Sequence, residues 1–326
     1  MRLDNRWNVG SIRKCGIWGC GQIGTTLAFT LMQTGWFSDI VLIDPDFALA
    51  EAEATDLAHT IPFHTPMDIY AGDYADLADC GLILLTAASG EEELPDSAFQ
   101  IEKRLRILKT VVGNIALYNR DAIILNICDP VELLTLAIQR FSGFPVGRVL
   151  GSGTVLDTAR LKQMVGRHLG VDSRNVHSFI VGEHGETEFP IWSSANVSGI
   201  DLHRYCDGSG KGFDRAVLDG LFRDVRDSRA QILQAKGVGY FAVAESVKRI
   251  VSAIVRDENT ILTVSAYLDG HYGLDDIYLS LPCIVNRSGI RRVLEIPLNE
   301  EEESRLRRAA TVLKKRLEEI EASVFV

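Results

Sequence analysis

No stretch of the chain approaches the roughly 18 consecutive apolar positions that a membrane-spanning helix needs. The amino terminus, Met1-Arg2-Leu3-Asp4-Asn5-Arg6, leads into no apolar signal core. Cations are in short supply: 34 Lys plus Arg stand against 44 Asp plus Glu, a formal charge of −10. Phosphate backbones are held mainly by clustered cations, so this balance argues against nucleic-acid binding as the main activity. Cysteines are few and scattered. Cys15, Cys20, Cys80, Cys128, Cys206 and Cys283 include no pair at the two-residue spacing of a redox or zinc site. They read as reduced structural thiols in a soluble cytoplasmic protein without a metal centre. There is also no internal repeat or low-complexity linker. What remains, at 326 residues with 46% hydrophobic and 24% charged, is an ordinary folded chain of about two domains at roughly 150 residues each.

The first half alternates short β-rich runs with helical patterns. Strands are expected at Ile12 to Trp18, Ile40 to Asp44, Leu82 to Thr86 and Ala122 to Ile127. Helices are expected at Ile23 to Gln33, Ala48 to His59 and Ser97 to Asn119. Such alternation specifies a doubly wound parallel sheet with helices on both faces. Ser89-Gly90-Glu91-Glu92-Glu93-Leu94-Pro95-Asp96 is acidic and carries Gly and Pro, so it reads as an exposed, mobile loop. The second half reads as α+β. Helices are expected at Val155 to Leu169, Asp224 to Ala235, Phe241 to Val255 and Glu300 to Glu321. Strands are expected at Val176 to Val181, Thr260 to Tyr267 and Ile277 to Val285. The boundary falls near Leu150, dividing the chain into domains 1–150 and 151–326.

Gly19-Cys20-Gly21-Gln22-Ile23-Gly24 is a GxGxxG run between an expected strand and an expected helix, and Asp44 follows Gly24 by twenty residues. That is the spacing at which a carboxylate accepts hydrogen bonds from an adenosine ribose. A side chain at Gly21 would block close approach of a pyrophosphate, while the helix start offers donors and a positive dipole end. Asp44 would also repel a 2′-phosphate, which favours NAD over NADP.

Two segments of the second half carry acid–base chemistry: the run from Gly151 to Arg160, and Val181-Gly182-Glu183-His184-Gly185-Glu186. Asp157 and Arg160 are three apart on a helix and share a face. An imidazole held by a carboxylate can donate and accept a proton near neutral pH. An Arg can bind a carboxylate through two parallel hydrogen bonds. These are the functions needed to reduce a 2-oxo acid, although a lone loop histidine is more often structural.

Taken together these residues resemble the L-lactate/malate dehydrogenase family, the lactate branch more than the malate branch. The similarity includes Asp56-Leu57-Ala58-His59, Gly72-Asp73-Tyr74, Thr86-Ala87, Asp129-Pro130-Val131, Ser142-Gly143-Phe144-Pro145 and Ser280-Leu281-Pro282-Cys283-Ile284. It implies a Rossmann domain followed by a substrate domain, with NAD against the glycine turn, Asp44, Thr86, Ala87 and Asp129. It further implies His184 as acid/base, Asp157 as its orienting partner, Arg160 as the clamp on a small carboxylate substrate, and a homodimer or homotetramer.

The departures concern specificity. Ser97 stands where the family's loop carries the Arg that polarises the reacting carbonyl, and no Arg lies between Thr86 and Lys103. Glu91 stands at the position that reads the substrate side chain, and Asp129 at the usual Asn before Pro. Gly239 replaces a common Thr, leaving extra room, and Arg229 replaces a small residue. Arg229 could enter the pocket and restore the missing charge, or pair with Asp224, Asp227 or another acid. Asp129 could be ionised, or a buried protonated acid. Three functions are open: 2-oxo acid reduction with altered specificity, reduction of an imine or cationic substrate at a negative site built on Glu91 and Asp129, and a non-catalytic nucleotide-binding homologue. Efficient turnover of pyruvate or oxaloacetate is not expected, because Ser97 cannot replace the loop cation and Glu91 would repel a second carboxylate.

Overall fold

A computed structural model describes residues 12–86, 98–208, 210 and 214–324. The first half forms β1 (Lys14–Trp18), α1 (Gln22–Met32), β2 (Asp39–Ile43), α2 (Phe47–Ala58), β3 (Asp68–Ala71), β4 (Leu82–Leu85), α3 (Ala98–Tyr118), β5 (Ile123–Asn126), α4 (Val131–Ser142) and β6 (Val149–Gly151). The second half forms α5 (Val155–Leu169), β7 (Val176–His177), β8 (Ile180–Val181), β9 (Phe189–Pro190), β10 (Asn196–Val197), β11 (Ile200–Asp201), α6 (Leu202–Gly208), α7 (Arg215–Lys236), α8 (Phe241–Val255), β12 (Thr260–Asp269), β13 (Asp275–Asn286), β14 (Gly289–Val293) and α9 (Glu300–Val324).

Six parallel strands run in the order β3-β2-β1-β4-β5-β6. This is the doubly wound Rossmann order, and it reverses direction between β1 and β4. Ligands bind outside the strand ends at such a switch point, so the ends of β1, β2 and β4 define a crevice before any side chain is considered. Strands buried on both faces need continuous apolar runs, and β4, Leu82-Ile83-Leu84-Leu85, is wholly buried. The sheet continues antiparallel through β12, β13 and β14, joined to β6 by Ser265 and Gly151. The two halves therefore share one nine-stranded sheet. Helix α1 packs beside α8, and α3 packs against α4 and α9. Among the described residues no helix is long and apolar enough to cross a membrane. All six cysteines are buried, and none forms a disulfide.

Three expectations need correction. The single strand expected at Val176 to Val181 is two, because β7 pairs with β10 whereas β8 pairs with β9. Residue periodicity carries no mark of that change of partner. Helix α7 starts at Arg215 rather than near Asp224, and its Asp214 cap accepts the Ala216 N–H at 2.8 Å. Helix α4 was not expected at all. Every residue from Val131 to Ile138 is buried, Glu132 and Thr135 included, so its sequence shows no polar face to alternate with an apolar one.

Candidate active site

The turn after β1 uses contacts that only glycine permits. Gly19 has a φ of 106°, and its carbonyl accepts the Thr86 hydroxyl from the end of β4 at 2.9 Å. A Cβ on Gly24 would lie 1.9 Å from that same carbonyl oxygen, so α1 reaches the end of β1 only through a bare Cα. A Cβ on Gly21 would meet nothing within 4 Å, which leaves open space above the helix start. The first internal bond of α1 is Thr25 N–H to Gly21 O at 3.0 Å. The preceding amides, of Gln22, Ile23 and Gly24, thus have no acceptor within the helix and are suited to an anion. Asp44 follows β2, its carboxylate held by the Cys20 N–H at 2.8 Å and the Asp46 N–H at 2.9 Å. Glycine cradle, helix start and oriented carboxylate fit a dinucleotide.

Opposite this crevice, Gly182 and Gly185, at φ of 102° and 130°, flank the loop that carries His184. His184 Nδ1 lies 2.6 Å from Asp157 Oδ2, and Asp157 Oδ1 accepts from Arg160 at 3.0 Å along α5. On its other side, Nε2 lies 3.2 Å from an Arg229 nitrogen, and Arg229 also donates to Asp129 Oδ2 at 2.7 Å. Arginine has only donors, so Nε2 must accept in this contact and the ring proton sits on Nδ1, toward Asp157. Burial disfavours a charged His184, but the Asp157 carboxylate, aided by Glu188 and Asp129, outweighs it and holds the imidazole pKa well above the usual histidine value. Asp157 is pushed the other way: burial opposes its charge, yet His184, Arg160 and Arg229 hold it below the usual carboxylate range. A protonated Nε2 would have to release Arg229, so charging of His184 and the Arg229 contact exclude each other.

His184, Arg160, Arg229 and Asp129 face one cavity of about 90 Å³, whose remaining wall includes Ile232, Leu233, Val238 and Val243. Ile23 lines it from the glycine turn. Gly239 also borders it, but a Cβ there would come within 3.2 Å of the Ile232 side chain. Ile232 therefore takes up part of the room that Gly239 was expected to leave. Asp129 is 38% exposed and ion-paired, which corrects the alternative of a buried protonated acid. For Arg229 both alternatives hold together: it pairs with an acid, and that pair stands in the pocket. Ala87, Glu91 and Ser97 lie outside the described residues.

Sequence reasoning missed two acids beside His184. Glu188, at 6% exposure, brings Oε2 within 3.7 Å of Nδ1. Burial and then Asp157 push its carboxyl pKa upward. Only its position four residues past His184 hints at this. Asp157, His184 and Glu188 could together offer ligand atoms to a metal, but the 2.6 Å bond already commits Nδ1 to Asp157. Glu188→Gln removes a carboxylate that favours the imidazolium, so the pH above which reduction falls should move lower, as should the pH at which oxidation rises. Rate profiles in both directions check this. The second acid, Glu132, accepts the His184 N–H.

Comparison with known proteins gives concordant matches. The pattern of the lactate/malate dehydrogenase NAD binding domain matches residues 13–151, and that of the lactate/malate dehydrogenase alpha/beta C-terminal domain matches residues 154–324. The L-lactate dehydrogenase of Acetivibrio thermocellus is 43% identical over 303 residues, covering 93% of this chain and 96% of that protein. L-lactate dehydrogenase 1 of Clostridium acetobutylicum is 40% identical over 307 residues, covering 94% and 98%. A crystal structure of a lactate dehydrogenase from a Medee basin deep-sea metagenome library superposes with a TM-score of 0.91 at 35% identity, covering 95% of this chain and 99% of that one.

Proposed function

The chain belongs to the lactate/malate dehydrogenase family and is an NAD-dependent oxidoreductase of the lactate dehydrogenase kind, and from that premise we propose that it interconverts 2-oxo and 2-hydroxy monocarboxylic acids, with Arg229 as the cation at the reacting oxygen. The observation that carries this is the linked set Asp129–Arg229–His184–Asp157–Arg160 around one cavity. NADH supplies the hydride when bound. Arg160 would hold the substrate carboxylate, and His184 Nε2 would deliver the proton to the oxygen, which enters between Nε2 and the Arg229 guanidinium. Asp157 keeps the ring oriented and stabilises its charge.

Charge and wall chemistry narrow the substrate. Of the charged groups at the cavity, Asp129 and Asp157 balance Arg229 and Arg160, to which they are hydrogen-bonded. A protonated His184 then leaves one positive charge, matched by one substrate carboxylate. Among the described residues a second carboxylate has no counterpart, and the wall at Leu233, Val238 and Val243 suits an apolar side chain. Arg229 also removes the objection to pyruvate that the loop Ser97 raised. The ion pair to Arg229 takes Asp129 out of any negative site, which counts against an imine or cationic substrate.

A crystal structure of the NADH complex with oxamate, an unreactive isostere of pyruvate, tests the arrangement. The oxamate carboxylate is expected on Arg160 and its amide oxygen between His184 and Arg229; Arg229 still capping Nε2 would refute it. Asp44→Ser should narrow the preference for NADH over NADPH, read as the ratio of their dissociation constants. We further propose a homodimer or homotetramer, supported by the exposed Phe47 and Phe63 at 56% and 83% and checked by light scattering. Six buried cysteines without a disulfide support a cytoplasmic location.

A further inference from the structure

Three elements meet behind His184 at one carboxylate that the chemistry above does not use. Glu132 lies in the first turn of α4, three residues past Asp129, and has no exposed surface. Its Oε2 accepts the His184 backbone N–H at 3.1 Å, and its Oε1 accepts the Ser280 hydroxyl at 2.6 Å. Ser280 belongs to β13 and exchanges backbone hydrogen bonds with Gly182, two residues before His184, at 2.8 and 3.0 Å. The helix that follows Asp129, the central strand of the second half and the catalytic loop are thus tied together through Glu132.

A carboxylate in such a place is costly unless its oxygens are satisfied. Burial pushes the Glu132 carboxyl up to about 7, against the opposing pull of the Ser280 hydroxyl and His184. Among the described residues its charged neighbours are few. His184 and Glu183 face it from the loop, and Glu183 is itself held by Arg316 of α9 at 2.7 Å and by the Thr187 hydroxyl at 2.8 Å. From β13 the facing group is the neutral Ser280. An ionised carboxylate makes charge-assisted bonds about twice as strong as a neutral acid makes. On protonation Glu132 also becomes a donor, and the Ser280 oxygen must turn from donor to acceptor.

We propose that Glu132 is a positioning residue: its ionised carboxylate fixes the backbone and ring of His184, and protonation of Glu132 loosens that hold, so that turnover follows the ionisation of Glu132 as well as that of His184. This rests on His184 as the acid/base, and its first test needs no turnover. The full-length protein is labelled with ¹⁵N-histidine, and the His184 amide is assigned as the one signal of the seven histidines lost in His184→Asn. In the wild type this amide should shift with a midpoint near pH 7. In Glu132→Gln, which can still accept from His184 and donate to Ser280, that transition should vanish and leave only the titration of the His184 ring. The matching limb should disappear from the kcat/KM profile of Glu132→Gln, with NADH affinity unchanged. Glu132→Ala, which leaves the His184 N–H without its acceptor, should lower kcat by about 10–100-fold, the scale of a misplaced catalytic group. An amide that titrates identically in the wild type and in Glu132→Gln, or not at all, overturns the proposal. A wild type that titrates as described but reduces no 2-oxo acid overturns the functional assignment and leaves the positioning of His184 standing.

Discussion

Arg229→Ala is expected to lower kcat for 2-oxo acid reduction by about 10²–10³-fold, the effect of removing one donor from a developing oxyanion, or ~3–4 kcal/mol. The size follows from placement. The guanidinium is anchored by Asp129 at 2.7 Å and already stands 3.2 Å from the nitrogen that must exchange a proton with the substrate oxygen. It is 37% exposed, so it is solvated at rest and desolvated only as substrate fills the cavity. Removing this cation also removes a charge that disfavours the imidazolium. The His184 pKa should therefore rise while kcat falls, a pairing that loss of packing alone would not produce. Arg229→Lys should recover little, because a point charge lacks the fork needed to hold Asp129 and the reacting oxygen together. Asp129→Asn combined with Arg229→Ala should be non-additive, since each removes the other's partner. Unchanged carbonyl reduction in Arg229→Ala would return the polarising role to another group.

His184→Asn is expected to reduce turnover by about 10⁴-fold, the upper range for loss of a general acid–base. Asn can hydrogen-bond a substrate oxygen but cannot give it a proton at neutral pH. NADH affinity, read by fluorescence titration, should be unchanged, because the glycine turn, Asp44 and Thr86 follow β1, β2 and β4, whereas His184 belongs to the loop after β8. Turnover equal to the wild type would sink the assignment.

Much of this site could be found in the sequence because its parts are local. The glycine turn and Asp44 announce themselves by spacing along consecutive elements, as do Asp157 and Arg160 on one helix turn. His184 stands out between glycines that take positive φ. The Asp129–Arg229 pair is different: it joins a loop after β5 to the middle of α7, and nothing in either segment names the other. Each could be marked as unusual, but only the fold shows that the two unusual charges neutralise one another. Glu132 was hidden for a second reason. It sits in the buried, mostly apolar first two turns of α4, Val131 to Ile138, where an acid looks like an exposed position interrupting a core run. The halves of the Val176 to Val181 run likewise differ only in their partners, β10 and β9, which are set by tertiary contact.

The most direct test of the central claim is NADH oxidation by the wild type with three kinds of 2-oxo acid, repeated in the presence of ammonia. The kinds are apolar monocarboxylates from pyruvate upward, the dicarboxylate oxaloacetate, and an acid with a cationic side chain. The site described here predicts the highest kcat/KM for an apolar monocarboxylate and no stimulation by ammonia. Preference for oxaloacetate or for the cationic acid, or turnover only when ammonia is present, would contradict it.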